Sequence, residues 1–462
     1  MTDTRNKPNV ILINCDDMGY GDLGCYGSTR NKTPSIDAMA NEGMRFTDAY
    51  CASPVCSPSR AGLLTGCYPP HLDFNRVLFP ADPMGLNPAE YTLPMLFKEK
   101  GYATKCVGKW HVGDQPGFLP LNFGFDSYFG LPYSNDMGMQ TGKAVSWKCP
   151  PLPLMKDHEV IQQQPDQRGL TERYVEKCIE FIRANERHPF FLYFAQMHVH
   201  LPLYAAERFV MQSQNGDYGA CVEEVDWSVS ALIHELKRLH LLEDTLIIFT
   251  SDNGSRGDHG SSNEPLRGGK FTNYEGGQRI PFIVYWKDHI PAGTVNAHLI
   301  SHIDLLPTFA SLISHPLTTQ YALDGIDCAP SFFSPEIMIR DEFVYWGWSS
   351  QNKAYLNAIR MGEWKLHVGT CDTGGNRPAA ELYNLRTDPG ETTNLHASHP
   401  DVVAKLSKRL AYWEERYGNA YHADSTGTAC HACGRVEHPV TLTEYDENHP
   451  YMVALYDKND RG

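Results

Sequence analysis

The stretch Cys51-Ala-Ser-Pro-Val-Cys56-Ser-Pro-Ser-Arg60-Ala-Gly-Leu-Leu-Thr-Gly66 runs from a turn-forming segment directly into a short apolar helix. Ser57 is a good helix N-cap, and Pro58 suits the first helical position because its missing N–H would be unpaired there anyway. Arg60 then projects from the first turn. The pattern predicts that Cys56 lies at the positive end of a helix beside a guanidinium, where an anion would bind well.

Cys56 taken alone allows several interpretations. It could be an ordinary thiolate nucleophile, since a helix N-terminus and a neighbouring Arg would lower its pKa. It could form a disulfide with Cys51, or be a small buried residue, which is the usual role of a lone cysteine. The other motifs of the chain have to decide among these.

Length and charge limit the class of protein. A chain of 462 residues exceeds a usual single core, which predicts a large domain and a smaller one. The net charge of −15 argues against a general nucleic-acid or anionic-membrane binder. An anionic substrate must therefore meet a local cluster of Arg, Lys and His side chains.

The start of the chain and its cysteines bear on the compartment. Residues 1–8 lack the apolar run of a signal peptide, and no later stretch approaches the roughly 20 apolar residues of a membrane span. Thirteen cysteines, an odd number in a long chain, indicate reduced thiols. We expect a cytoplasmic protein as the sequence is written, or a periplasmic or secreted one if a leader was removed.

Two acidic residues end the first predicted strand. Residues 8–15 form a continuous apolar run, as expected of a strand buried on both faces of a parallel sheet. Asp16 and Asp17 follow at the carboxyl end, where open α/β sheets bind ligands. Adjacent carboxylates repel each other unless a cation lies between them, which favours a metal site over a cap or turn. Asp22, farther on, is interpreted as a turn residue.

Three more predicted strands end in polar residues. Lys109 and His111 follow one strand and, two apart in an extended segment, could reach the same anionic group, although a solvated loop is the alternative. His200, with His198 before it, follows another. Asp252 and Asn253 follow the third and supply oxygen ligands, which suit calcium or magnesium rather than zinc. The basic, glycine-rich loop that holds Lys270 is by itself a weak phosphate-binding signal.

In type and order these segments resemble those of the type I, formylglycine-dependent sulfatases, and especially of the arylsulfatase-like members. The matching motifs are the paired acids, Cys-x-Pro-Ser-Arg, Gly-Lys-x-His, His-x-Pro, and Asp-Asn-Gly with a downstream Lys. The resemblance covers roughly residues 8–400. It implies an α/β, alkaline-phosphatase-like fold, with a large mixed sheet flanked by helices and a smaller C-terminal antiparallel sheet.

The resemblance also implies a role for each site residue. Cys56 would be converted to formylglycine, whose hydrated gem-diol is the nucleophile. The residues implied to bind sulfate or substrate, or to transfer protons, are Arg60, Lys109, His111, Ser134, His200 and Lys270. Among these, His111 would assist sulfate release, and His200 or Lys270 would protonate the leaving group. Ca²⁺, or Mg²⁺, would be held by Asp16, Asp17, Cys56 in its modified form, Asp252 and Asn253.

We expect an N-terminal catalytic domain over residues 1–340 and a smaller α+β subdomain over residues 341–462. Short strands are predicted between residues 343 and 385, and a helix over 401–417. The tail from about residue 421 has no match. Its Cys430-His-Ala-Cys433 is an isolated pair, which favours a redox pair or a packed loop over a zinc knuckle.

The expected substrate is a sulfated small molecule or oligosaccharide. Tyr345, Trp346 and Trp348 could stack on sugar rings, although packing between the two domains is the alternative, and the tail could fold over the pocket rim. A formylglycine-generating or maturase enzyme is the expected partner for Cys56; no nucleic acid or membrane span is expected. Two alternatives stay open: a phosphodiester or phosphonate monoester hydrolase of the same superfamily, and a silent sulfated-glycan-binding protein.

Overall fold

The computed structural model describes residues 7–139, 149–368, 380–422, 427–449 and 451. Over these residues the strands are β1 (Asn9–Cys15), β2 (Met44–Tyr50), β3 (Met84–Gly85), β4 (Ala103–Lys109), β5 (Ser127–Leu131), β6 (Pro153–Lys156), β7 (Glu159–Gln163), β8 (Phe190–Ala195), β9 (Thr245–Ser251), β10 (Arg279–Tyr285), β11 (Thr294–Asn296), β12 (Ile300–Ser301), β13 (Glu342–Gly347), β14 (Tyr355–Met361), β15 (Trp364–His367), β16 (Glu381–Asn384) and β17 (Gly434–Arg435).

The helices are α1 (Pro34–Glu42), α2 (Cys56–Thr65), α3 (Leu93–Glu99), α4 (Leu170–Ala184), α5 (Glu207–Val210), α6 (Gly216–Arg238), α7 (Glu275–Gln278), α8 (Leu305–Leu312), α9 (Ala329–Phe333) and α10 (Pro400–Tyr417). Searched over the described residues, none of them is long and apolar enough to cross a bilayer. The compartment stays a prediction.

One large mixed sheet organises the molecule. Its strand order is β11-β2-β10-β9-β1-β8-β4-β5-β6-β7, and β12 pairs with β2 at one side. The central strands β9, β1, β8, β4 and β5 are parallel, whereas β10 and β6 join antiparallel to them. All seven residues of β1 are buried, as its apolar run over residues 10–13 predicts for a strand covered on both faces.

The two faces of the sheet carry separate apolar cores. Ile11 and Ile13 of β1 point into the core formed with α1, α4 and α6, while Val10 and Leu12 point into the core formed with α2, α3 and α8. The long helix α6 buries Val225, Val229, Leu232 and Leu236 at helical spacing, so its apolar face packs on the first of these cores. The predicted α/β class, with a large mixed sheet between helices, is confirmed.

A smaller antiparallel sheet follows in the chain. Its strand order is β13-β14-β15-β16, and α10 packs against it, burying Leu406, Leu410 and Trp413. Tyr50 and Tyr68 of the large part of the molecule belong to the same core, so the two sheets share an apolar contact. The smaller C-terminal antiparallel sheet is therefore also as predicted.

The described part of the tail lies on the large unit. β17 pairs antiparallel with β3, the backbone N–H of His431 donates to the carbonyl of His71 at 2.7 Å, and that of Val440 donates to Gln115 Oε1 at 2.8 Å. The thiol of Cys430 contacts the carbonyl of Tyr417, whereas that of Cys433 contacts Asp73. Separate partners for the two thiols agree with a packed loop.

Candidate active site

The parallel strands bring the predicted acidic residues together. β1 and β9 are neighbours in register, with Cys15 opposite Ser251, so the residues that follow both strands emerge side by side at the carboxyl edge. The backbone N–H of Asp17 donates to Asp252 Oδ1 at 3.1 Å, and Asn253 Nδ2 donates to Asp17 Oδ1 at 2.6 Å. Asp17 has a left-handed backbone (φ 63°), an uncommon conformation that Asp tolerates better than most residues.

Three cationic side chains lie on this cluster. Lys109, the last residue of β4, places Nζ 2.5 Å from Asp16 Oδ2, and Lys270 places Nζ 2.7 Å from Asp17 Oδ2. Arg60 approaches Asp252 Oδ2 with Nε and a terminal nitrogen, both at 2.8 Å. All of these side chains are buried. The cluster therefore combines three acids with three permanent or near-permanent cations.

The charges perturb the acids in opposite directions. Burial raises the pKa of the Asp16 carboxyl, but the positive charges of Lys109, His200 and Arg60 outweigh burial and hold that pKa well below its ordinary value. Burial and then the neighbouring Asp16 charge raise the pKa of Asp252 to about 7. A bound divalent cation would favour the charged form of both carboxyls.

The donor set fits a hard divalent cation. Among the described residues, the buried oxygens Asp16 Oδ1 and Asn253 Oδ1 have no hydrogen-bond partner. Asp16, Asp17 and His200 each offer a ligand atom, and these atoms lie within 4.8 Å of one another. Unpartnered buried oxygens beside paired carboxylates are what Ca²⁺ or Mg²⁺ coordination requires.

Helix α2 carries Cys56, but it begins differently from the sequence prediction. Cys56 is its first residue and Val55 is the N-cap, with no side-chain cap hydrogen bond. Ser57 is therefore not the cap; its hydroxyl instead accepts the backbone N–H of Leu78 at 3.2 Å. Every residue of α2 is buried, so tertiary packing overrides the local capping preference. Arg60 is one turn after Cys56 and shares its helix face.

The environment of Cys56 decides among the interpretations of its chemistry. Burial raises the pKa of its thiol, although the charges of Lys109 and Lys270 oppose this, and a raised pKa disfavours the thiolate interpretation. Cys51 and Cys56 are both free thiols, and the Cys51 thiol contacts the carbonyls of Ser53 and Gln278. The disulfide interpretation is therefore not supported.

The remaining predicted residues border the same cluster. Ser134 Oγ lies 3.1 Å from Lys109 Nζ and 3.5 Å from His200 Nδ1. His200 Nε2 is 3.7 Å from Asp17 Oδ2, and the His200 side chain is 11% exposed, so it lies at the opening of the site. Ser134 and His200 are thus close enough to Lys109 to contact one bound molecule.

His111 is buried and has a left-handed backbone (φ 62°). Its Nε2 lies 3.0 Å from the carbonyl of Leu78. A carbonyl can only accept, so Nε2 carries the proton and Nδ1, which has no partner in the part of the chain that the structure describes, is a free acceptor. Burial and then the Lys109 charge hold the pKa of His111 well below its ordinary value, so the ring is neutral.

Two residues near the site, Asp22 and Glu224, have contacts that the sequence analysis did not predict. Asp22 lies in a 3-10 turn and accepts the backbone N–H of Gly19, as a turn residue does, but it is also fully buried and accepts the backbone N–H of Ser262 and the hydroxyl of Tyr218. Glu224 of α6 is buried with Oε2 3.7 Å from Nε2 of His198, whose carbonyl accepts the backbone N–H of Asp16. No sequence signal links Glu224 to His198, because 25 residues of unrelated pattern separate them.

The predicted aromatic cluster is only partly available to a ligand. Tyr345 and Trp346 are 0% and 1% exposed and belong to the core of the small sheet, so packing, the alternative to sugar stacking, holds for these two residues. Burying these two large rings between the sheets removes apolar surface from water, which stabilises the fold more than leaving the rings exposed for a ligand. Trp348, just beyond β13, remains partly exposed.

Comparison with known proteins gives one consistent family. Residues 8–315 match the family model described as Sulfatase. N-acetylgalactosamine-6-sulfatase from Homo sapiens is 38% identical over 442 residues, covering 87% of this chain and 84% of that protein. Arylsulfatase A from Homo sapiens is 37% identical over 440 residues, covering 88% of this chain and 87% of that protein.

Solved structures agree with these relatives. The crystal structure of Ps i-CgsB in complex with k-i-k-neocarrahexaose superposes with a TM-score of 0.79 at 31% identity, covering 91% of this chain and 95% of that chain. The similarity therefore extends over both the large sheet and the smaller one.

Proposed function

The chain belongs to the sulfatase family of sulfuric ester hydrolases, as its motifs predict, and on that premise we propose that it removes sulfate from a sulfated carbohydrate at the carboxyl edge of the large sheet. The observation that carries the proposal is the convergence of Cys56, Arg60, Lys109 and Lys270 on the acidic cluster. In-line attack on the sulfur of a sulfate ester passes through a trigonal-bipyramidal transition state, and fixed positive charge in a buried site stabilises the negative charge on its equatorial oxygens.

The cofactors belong to this proposal. Asp16, Asp17, Asp252 and Asn253 would hold Ca²⁺, or Mg²⁺, together with residue 56. Formylglycine at position 56, made by a formylglycine-generating or maturase enzyme, would supply a hydroxyl nucleophile, and the cation would withdraw charge from the sulfate oxygens. The chain's own residues bind, orient and exchange protons around them.

The positive charges of the site come from Lys109, Lys270 and Arg60, which we propose bind the sulfate without transferring a proton. Burial lowers the pKa of Lys270, but the Asp17 carboxylate outweighs burial and raises it above its ordinary value. Lys270 therefore keeps its proton at neutral pH and can neutralise a sulfate oxygen without giving the proton away. Arg60 also donates to the carbonyl of Lys109 at 2.8 Å, which fixes the end of β4 in place.

The proton transfers fall to the two histidines. His200 lies at the opening, where the leaving alcohol would depart, and imidazole is the side-chain type that exchanges protons near neutral pH. We therefore favour His200 over Lys270 as the proton donor to the leaving oxygen. His111 is neutral with Nδ1 free to accept, which suits the removal of a proton from residue 56 during sulfate release.

The carbohydrate preference rests on the relatives. The structural neighbour at 31% identity is complexed with k-i-k-neocarrahexaose, and human N-acetylgalactosamine-6-sulfatase has a sulfated amino sugar in its name. We also propose that residues 1–340 are the catalytic domain and residues 341–462 the smaller subdomain, since β13 of the small sheet begins at Glu342. Within this division the tail of the subdomain packs back on the catalytic domain, where β17 pairs with β3. Ser134 would contact the substrate beside Lys109.

The test compares sulfate release from matched esters. Protein co-expressed with a formylglycine-generating enzyme is assayed on 4-nitrophenyl sulfate, 4-nitrophenyl phosphate and a panel of sulfated monosaccharides, with Cys56→Ala as the inactive control. We expect turnover of sulfates well above that of the phosphate. A higher kcat/KM for the phosphate would favour the phosphoester hydrolase, and no turnover despite modified residue 56 would favour the binding protein.

A further inference from the structure

An exposed aromatic residue follows the proposed sulfate-binding lysine. Phe271, directly after Lys270, is 45% exposed, although its neighbour in sequence is buried. Its backbone N–H donates to the carbonyl of Pro54 at 3.0 Å. Pro54 precedes Cys56 by two residues in the turn between β2 and α2, so this hydrogen bond holds Phe271 next to that turn. Phe271 therefore lies at the edge of the site, held there by its main chain.

The backbone of Phe271 is in an unfavourable region. Its φ of 74° is in the left-handed region, which is uncommon for a bulky aromatic residue. Such conformations cost about 1–3 kcal/mol and persist where the surroundings impose them, often at ligand-binding sites.

A second ring extends the same surface. Trp348 lies just after β13 of the small sheet, and its ring centroid is 5.4 Å from that of Phe271 at an interplanar angle of 52°. The next residue is anchored, because the backbone N–H of Ser349 donates to the carbonyl of Asn75 at 2.8 Å. The loop between β9 and α7 and the segment after β13 thus contribute one ring each to a single aromatic surface, here named the aromatic wall (Phe271 and Trp348).

The aromatic wall is close to the proposed position of sulfate. Lys270 Nζ is 5.5 Å from the Phe271 ring centroid and 2.7 Å from Asp17 Oδ2. In a sulfate ester only the S–O–C linkage separates the sulfate oxygens from the carbon skeleton of the alcohol. An ester whose sulfate contacts Lys270 therefore has its alcohol moiety within reach of Phe271.

We propose that the aromatic wall, and Phe271 above all, binds the sugar ring that carries the scissile sulfate, by contact with the apolar C–H face of the ring. The proposal rests on the sulfatase function proposed above and assigns its specificity-determining residues. Phe271 and Trp348 are binding residues here and take no part in proton or charge transfer. The contact adds to substrate binding and leaves the sulfate contacts unchanged.

The experiment measures separately how the ring and the sulfate of the substrate contribute to binding. KM and kcat are measured on galactose 6-sulfate and on 4-nitrophenyl sulfate, and inorganic sulfate, which has no ring, is used as a competitive inhibitor. For Phe271→Ala we expect KM for both ring substrates to rise by roughly 5- to 20-fold, with kcat changed less than threefold and the inhibition constant of sulfate within twofold of the starting protein. Phe271→Tyr should restore KM.

A matched control exists elsewhere on the surface. Phe333 is 40% exposed, and its ring centroid is 6.3 Å from that of Trp286 at an interplanar angle of 57°. This arrangement is similar to that of the aromatic wall. Phe333→Ala should leave KM unchanged. Unchanged KM in Phe271→Ala, or an inhibition constant of sulfate that rises as much as KM, would overturn the proposal, and a rise confined to the aryl sulfate would overturn the sugar assignment. Absence of turnover in the unsubstituted protein would instead refute the sulfatase function, and the proposal with it.

Discussion

Replacing Lys270 with Met tests the proposed fixed charge beside the nucleophile. Met keeps most of the side-chain length and removes the ammonium that lies 2.7 Å from Asp17 Oδ2, in a pair whose side chains are only 4% and 5% exposed. A buried charged donor to a transition-state oxygen contributes about 2.7–4 kcal/mol, so kcat/KM should fall by roughly 100- to 1,000-fold. Removal of one partner of a buried pair should also lower stability, by about 3–5 kcal/mol.

The assay is kcat/KM on 4-nitrophenyl sulfate, with circular dichroism and bound metal measured on the same samples. The matched control is Lys287→Met, because Lys287 forms an ion pair with Glu243 at the surface, where both side chains are about half exposed. The control should change neither activity nor stability measurably. A kcat/KM for Lys270→Met within threefold of the starting protein, at unchanged metal content, would refute the assigned role.

Three further predictions concern the cation, the loop behind it and pH. After chelation, Ca²⁺ or Mg²⁺ should restore activity and Zn²⁺ should not, and Asp252→Ala should lose both metal and activity; recovery with Zn²⁺ alone would contradict the oxygen-donor site. Asp22→Ala should lower the free energy of unfolding by about 2–4 kcal/mol, because it leaves the backbone N–H groups of Gly19 and Ser262 and the Tyr218 hydroxyl without an acceptor. An unchanged urea midpoint would contradict this. Burial raises the pKa of Glu224 from 4.5 to about 8, so the folded protein retains a proton that the unfolded chain releases, and stability should fall as pH rises from about 4.5 to 8. Glu224→Gln should reduce that fall, seen as a smaller Tm difference between pH 5 and pH 8; an equal difference in both proteins would show that Glu224 is ionised in the fold.

The sequence predicts the strands and most of the site because the relevant signals are local. β1 and β9 each contain an apolar run, over residues 10–13 and 246–249, and such strands lie side by side in a parallel sheet, so polar residues that follow them must meet at one edge. Asp16, Asp17, Asp252 and Asn253 converge for this reason. The buried face of α6 can also be predicted from the sequence, since its apolar residues recur at helical spacing.

The features that the sequence does not predict depend on contacts between distant segments. Ser57 has the residue type of a cap, yet α2 is enclosed on all sides and begins at Cys56 instead. The burial of Asp22 is not predicted, because its partners Tyr218 and Ser262 are 196 and 240 residues away in the chain. Tyr345 is buried by packing between two sheets, and no spacing in its own strand indicates this.

The most direct test of the account combines the chemical state of residue 56 with activity. Several preparations with different yields of modification are digested, the mass of the peptide containing Cys56 is determined, and sulfate release from 4-nitrophenyl sulfate is measured on each. The account predicts that specific activity is proportional to the fraction carrying formylglycine and vanishes in Cys56→Ala. Equal activity in preparations that hold only the unmodified thiol would contradict it.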